Sequence, residues 1–269
     1  MGSRTSLLHP VILTAIVINA VVLALALAWS DPDSPRMWRL LGEDGLVEWM
    51  QFLCFTVLAA LLGFIAVDRW SRQSRLSLDV IGIAGLSALV ALAAFEEISW
   101  FQRVLGVDSP EFFRQHNRQF ETNLHNLALG GASLHKTILV KLIFVVGITH
   151  NVILPLVART RPAVQRWVES LGVYLPPLSA ALVYLLLVLL SHLFVDHSRK
   201  GELGEMFGAV HYLATVFTAY VIGLGYGKPA TIEGQPDARR VSALFAMLLV
   251  FLVFVAWLLG STYNPAAGS

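Results

Sequence analysis

The chain has a single cysteine, Cys54, few charged residues and no polar stretch large enough to fold as a soluble domain. A lone cysteine excludes an internal disulfide framework and leaves the redox compartment unread. Charged residues are 14% of the 269 positions, whereas soluble domains carry roughly 25%, and that deficit excludes a water-soluble monomer. The formal net charge of +1 removes any electrostatic case for nucleic acid. Familiar catalytic signatures are missing too: no GxGxxG or P-loop opens a helix, and there is no GxSxG and no HExxH. The last apolar run holds no lysine, which excludes a retinal Schiff base there.

What the chain does have is length and apolarity in runs. Hydrophobic residues make up 56% of it, with a mean hydropathy of +0.68. A helix needs about 20 apolar residues to cross the ~30 Å hydrocarbon layer. Such runs fall near 8 to 29, 46 to 67, 78 to 97, 136 to 157, 175 to 195, 206 to 226 and 241 to 260. The expected fold is all-α: one integral membrane domain over 1–269, a polytopic bundle of seven transmembrane helices, with an outer-face helical insertion at about 98–134. The first run follows Arg4, as a signal peptide would, but signal cores are about 7 to 15 residues long and this run is longer, so it is expected to remain as a helix.

Charge sets the expected orientation. One set of connecting segments carries ten bases against five acids, and the opposite set nine bases against thirteen acids. The short basic segments DRWSRQSR and ARTRPAVQR read as cytoplasmic under the positive-inside rule. The amino terminus is then cytoplasmic and the carboxyl terminus outside, with a bacterial inner membrane as the default host. Trp29, Trp38, Trp49, Trp100 and Trp257 fall near the outer interface on this reading, and Trp70 and Trp167 near the inner one.

Residues 96 to 135 form the one large segment that is neither span nor short loop. Glu96, Trp100 and Arg103 share a helical stripe, so the third helix is expected to continue past the membrane as far as Gly106. Ser109-Pro110-Glu111 opens a further helix, with Phe112, Phe113 and Phe120 among charged neighbours, as in a segment lying flat in the interface. Asn117, Glu121 and His125 recur every four residues and would share one face of it. That face is either a solvated stripe or the lid of a site to which Glu121 and His125 contribute; Asn117, Glu121, His125 and Trp100 are the candidate substrate-binding residues.

Ionisable groups inside hydrocarbon are costly and mark cavities or paths. Glu48, the pair Glu96 and Glu97, His192 with Asp196, and His211 all fall within roughly 10 Å of the outer boundary at 1.5 Å per residue. Glu96, Glu97, Glu48 and Arg103 are the candidate catalytic groups, with Glu97 as base. His192, Asp196 and His211 are the candidate ligands of a divalent metal such as zinc, in the three-ligand pattern of catalytic sites. A structural polar network or proton handling are the alternatives for the same residues. His150 and Asn151 read as helix-packing polar groups.

The order Glu96-Glu97 with Arg103, then Phe112 through His116, then His192 through Asp196 resembles that of membrane endopeptidases of the CAAX-processing type. The resemblance implies a glutamate-activated water cleaving a peptide at the membrane. Arg103 comes two residues later than in that family, Phe112 to His116 lies in the polar segment, and the likeness covers a handful of positions. The function expected from the residues themselves is a membrane-embedded hydrolase or transferase acting on a lipid or lipid-linked substrate from an outward pocket. The alternatives are a proton- or cation-coupled transporter or channel, and a non-enzymatic sensor or assembly subunit.

Overall fold

The structure is a computed structural model that describes residues 7–31, 34–124, 126–129, 132–133, 138, 140–232 and 235–261, with Arg103, Leu129, Ala132, Ser133, Val140 and Gln235 described by their backbone alone. Among these residues each expected run is helical. Helix α1 is Pro10–Ala28, α2 Pro35–Leu41, α3 Leu46–Gln73 and α4 Leu78–Glu97. Short helices α5 (Gln102–Leu105) and α6 (Glu111–His116) precede a two-strand hairpin, β1 Ala128–Leu129 and β2 Ala132–Ser133. Then come α7 (Val140–Ile148), a π-helical turn Thr149–Ile153, α8 (Leu154–Thr160), α9 (Pro162–Ser170) and α10 (Leu178–Phe194). Helix α11 (Gly201–Val216) runs into a second π turn, Phe217–Val221, and α12 (Gln235–Gly260) completes the order.

Local chemistry sets the boundaries. Pro10 and Pro35 stand at the first helical positions of α1 and α2, where a missing N–H costs nothing. Helix α3 stops at Ser74, which takes a left-handed conformation at φ 55°, and Ser77 precedes α4 in an extended one. The helices α3 and α4 therefore return on each other as an antiparallel pair with extensive contact.

Among the described residues, five stretches are long and apolar enough to cross a membrane: Pro10–Ala28, Pro35–Gln73, Leu78–Glu97, Lys141–Thr160 and Pro236–Gly260. The expected count of seven is thus not met by length and apolarity. Helix α10 has only 17 residues. Helix α11 is of a different kind: from Met206 to Val221 every residue is buried except the half-buried Tyr212. It is enclosed by α1, α3 and α10, and a helix covered on all sides is the centre of a bundle. Gly204 and Gly208, one turn apart, let α10 approach it closely: a Cβ at Gly204 would lie 3.5 Å from Val188, and one at Gly208 would lie 3.2 Å from the Tyr184 hydroxyl.

The outer insertion departs from expectation in two ways. Helix α4 ends at Glu97, and Ser99, Trp100 and Phe101 follow with φ of 47°, 55° and 62°, a left-handed turn in place of a continuous stripe. The expected helix from Ser109 to residue 126 lasts only from Glu111 to His116. Asn117 ends it, because its side-chain oxygen accepts from the backbone N–H groups of Gln119 at 2.8 Å and Glu121 at 3.3 Å. Such local side-chain bonds offer the backbone an alternative to helix.

At the far end of α4, helix α9 and its following turn rest on a glycine. A Cβ on Gly82 would lie 2.0 Å from the Leu171 carbonyl oxygen. Gly82→Ala is therefore expected to force these elements apart at a cost of about 1 to 3 kcal/mol, as overpacking does. The check is thermal unfolding of the purified protein in detergent, and an unchanged midpoint would refute this contact.

Candidate functional site

Three helix ends meet at one end of the bundle and bring carboxylates with them. Glu48 lies in the first turn of α3 and Glu202 in the first turn of α11, where the partial positive charge of a helix N-terminus favours an anion. Glu205 follows Glu202 at the next turn of the same face. Glu97 is the last residue of α4, where no such help is offered. The carboxylate oxygens of Glu97, Glu202 and Glu205 come within 4.8 Å of one another, and all three residues are half-buried. Glu48 and Glu96 add their charge to the field at Glu97.

Glu48, Glu97 and Glu202 border a cleft with about 370 Å³ of empty space, its mouth included, whose walls also hold Glu43, Glu121 and Arg199. Arg199 stands at its rim, 3.8 Å from Glu43. His197, two residues before, is held below its ordinary pKa by burial and by the charge of Arg199, against the opposing pull of Asp196. Beneath the cleft Gln51, fully buried in α3, donates from its amide nitrogen to the Glu202 carbonyl at 3.3 Å.

The outer insertion forms the far wall. Ser99 donates to Glu121 at 2.5 Å and accepts from the Asn123 amide at 2.8 Å; the same amide also reaches Glu121 at 3.1 Å. Asn117 donates to the Asn123 side chain and carbonyl, both at 2.9 Å, and Gln119 donates to Glu43 at 2.8 Å. Glu96 turns out of the cleft to accept from the Trp100 indole at 2.9 Å and the Leu124 backbone at 2.6 Å. The left-handed turn at Ser99, Trp100 and Phe101 begins two residues after Glu97. Left-handed backbone costs roughly 1 to 2 kcal/mol per residue, and such strain collects where a side chain must be aimed.

The structure brings together part of the expected site. Glu97, Glu48 and Glu121 line the cleft; Asn117, Glu96 and Trp100 hold the wall in place. The Arg103 side chain and His125 lie outside the described residues. The metal set His192, Asp196 and His211 is not assembled. Helix α10 ends at Phe194, so Asp196 no longer follows His192 by one helical turn. His192 is exposed, with its Nδ1 bonded to the Val188 carbonyl, and Asp196 is exposed as well. His211 is buried in the interior, and its Nε2 lies 3.2 Å from the Asn151 side-chain oxygen. His150 and Asn151, read from sequence as remote packing groups, are therefore neighbours of His211. The residues missed are Glu202 and Glu205, with Glu43, Ser99 and Asn123. Glu202 and Glu205 were legible as an acidic pair three apart just ahead of the sixth apolar run.

Asn123 is the hub of the wall, since its amide serves Ser99 and Glu121 and its oxygen accepts from Asn117. Asn123→Ala leaves the buried Glu121 with fewer donors and is expected to cost about 1.5 to 3 kcal/mol, the range for hydrogen bonds to charged groups. Hydrogen exchange is the readout: amides of residues 99–124 should exchange faster while those of α11 keep their protection.

No family model, no curated protein and no solved structure matches this chain. The residue order shared with CAAX-type endopeptidases does not assemble into a site either: His116 is half-buried and bonded to the Phe112 carbonyl, and neither it nor His192 nor Asp196 borders the cleft.

Proposed function

We propose that the protein is a membrane-embedded hydrolase or transferase whose acidic cleft acts on a lipid or lipid-linked substrate at the outer leaflet, in a bacterial cytoplasmic membrane. The observation that carries this reading is the convergence of Glu97, Glu202 and Glu205 within 4.8 Å at the mouth of an apolar bundle. Counted with α10 and α11, the bundle has seven rods. The basic segments around Arg69 to Arg75 and Arg159 to Arg166 lie at the end opposite the cleft, which supports an amino terminus in the cytoplasm and a carboxyl terminus outside.

Glu97, Glu202 and Glu205 would hold a divalent cation. Their donors are all oxygen, which suits magnesium, manganese or calcium, whereas zinc favours nitrogen and sulfur. A bound cation would offset the carboxylate charge and make water a stronger acid. Glu48, on the cleft wall, would accept the proton of an attacking water. Arg199 at the rim is the group to hold an anionic part of the substrate, such as a phosphate. The substrate's apolar part would stay in the bilayer beside the helices.

Manganese is the probe for the cation. The purified chain in detergent is expected to bind it stoichiometrically by electron paramagnetic resonance, with Glu202→Gln and Glu97→Gln weakening binding by about 10- to 100-fold, the range seen for altered metal surroundings. Incubation with phosphatidylethanolamine and phosphatidylglycerol vesicles should yield a chelator-sensitive product by mass spectrometry. Absence of stoichiometric manganese, or turnover indifferent to both chelator and Glu202→Gln, would overturn the reading.

A further inference from the structure

The wall of the cleft has a second face. From Gln119 to Leu124 its residues alternate: Gln119, Glu121 and Asn123 line the cleft, whereas Phe120 and Leu124 are exposed, with Thr122 half-buried between them. The same division holds at the turn after α4, where Ser99 lines the cleft and Trp100 is exposed.

One carboxylate brings Trp100 and Leu124 together. Glu96 accepts from the Trp100 indole through one oxygen, at 2.9 Å, and from the Leu124 backbone through the other, at 2.6 Å. The Trp100 ring also stacks on Phe95 of α4, with centroids 5.2 Å apart. Phe95, Trp100 and Leu124 are 38%, 45% and 45% exposed, and together they make an apolar patch on the outside of the wall.

The patch prolongs one face of α4. Ile81, Leu89, Leu92 and Phe95 are all exposed and share a side of the helix, opposite Asp79, Val80, Ile83 and Ala94, which are buried. Helix α4 is long and apolar enough to cross a membrane, and in a bilayer this exposed side would meet acyl chains.

Backbone chemistry suits the same neighbour. Lipid offers no hydrogen bonds, so every peptide group against it must find its partner within the protein. Leu124 meets this demand: its N–H donates to Glu96, and its carbonyl accepts from the Leu127 N–H at 3.2 Å. Phe120 does as well, donating to the Asn117 carbonyl at 3.2 Å and accepting from the Ser109 hydroxyl at 2.6 Å. Between them the Thr122 N–H donates to the Gln102 side chain at 2.7 Å.

We propose that the outer face of this wall is sunk in the membrane leaflet at the cleft end of the bundle, with acyl chains packed on Phe95, Trp100 and Leu124. The Trp100 ring then lies at the level where indoles concentrate, its N–H held by Glu96. Glu121 and Asn123 stand on the other side of the same stretch, so the wall divides lipid from the acidic cleft. This contact goes beyond the enzymatic reading, since it needs neither a cation nor turnover.

The test uses the lone cysteine. Cys54 is buried, so Cys54→Ala leaves a full chain without a thiol, in which each added cysteine takes one spin label. Labels at Leu92→Cys, Leu124→Cys and Glu111→Cys are read in vesicles of phosphatidylethanolamine and phosphatidylglycerol by power-saturation electron paramagnetic resonance. Oxygen, which concentrates among acyl chains, is compared with a nickel chelate, which stays in water. Leu92→Cys sets the lipid value, and Glu111→Cys, exposed beside Arg114, sets the water value. The Leu124→Cys label should favour oxygen over nickel as the Leu92→Cys label does. A ratio like that of Glu111→Cys, or shielding from both reagents by another protein or a second copy, overturns the contact. Trp100 is read on the unlabelled chain, through the emission lost in Trp100→Phe. That emission should be quenched in brominated phosphatidylcholine vesicles and kept in unbrominated ones. An unquenched Trp100 also overturns the contact, and this measurement decides if the label at Leu124→Cys lowers the unfolding midpoint. Manganese binding in the same vesicles separates this failure from failure of the cleft.

Discussion

Mutual repulsion of carboxylates is the constraint on which the cleft end of the molecule is built. Two unit charges 4.8 Å apart repel by about 3 kcal/mol at an effective dielectric near 20, and Glu97, Glu202 and Glu205 form three such pairs. The surrounding architecture reads as an answer to that cost. Two helix N-termini, those of α3 and α11, direct their positive ends at it. The left-handed turn after Glu97 reverses the chain at once and lets Ser99 and Asn123 close a hydrogen-bonded wall over the opening. Glu121, itself an acid, is drawn into that wall by amide and hydroxyl donors.

Much of the scaffold was legible in the residues because apolar runs of span length leave the backbone little choice but helix. The starts of α3 and α4 could be read directly, since Gly45 and Ser77 precede them, whereas the end of α4 at Glu97 came nine residues before the expected Gly106. The start of α11 was harder. Hydropathy places it near residue 206, because Glu202 and Glu205 interrupt the apolar signal, and two members of the carboxylate cluster then read as loop. The four-residue recurrence of Asn117, Glu121 and His125 misled for the opposite reason. A helical period says nothing of a side chain that bonds its own backbone, and Asn117 does so. His192 and Asp196 failed because a helix end falls between them, at Phe194.

The fold places its chemistry on one axis. Helix α11 is shielded by its neighbours, so its polar groups do not meet lipid, and the glycines at 204 and 208 bring α10 close enough for Tyr184 to join them. Acids gather at one end of this axis. At the other, a carboxylate lies between two cations, Arg69 and Lys228, backed by aromatic rings.

The π turn at Thr149–Ile153 has a consequence for the helix that contains it. Each such turn spends one residue more than an α turn, which rotates everything beyond it by about 100° relative to what came before. The upper and lower halves of this rod therefore show different sides of their sequence to the same neighbours. Removing a single residue from the turn would leave the rod straight and almost as long, yet would swing Leu154–Thr160 round and tear Asn151 from its place between Tyr212 and His211.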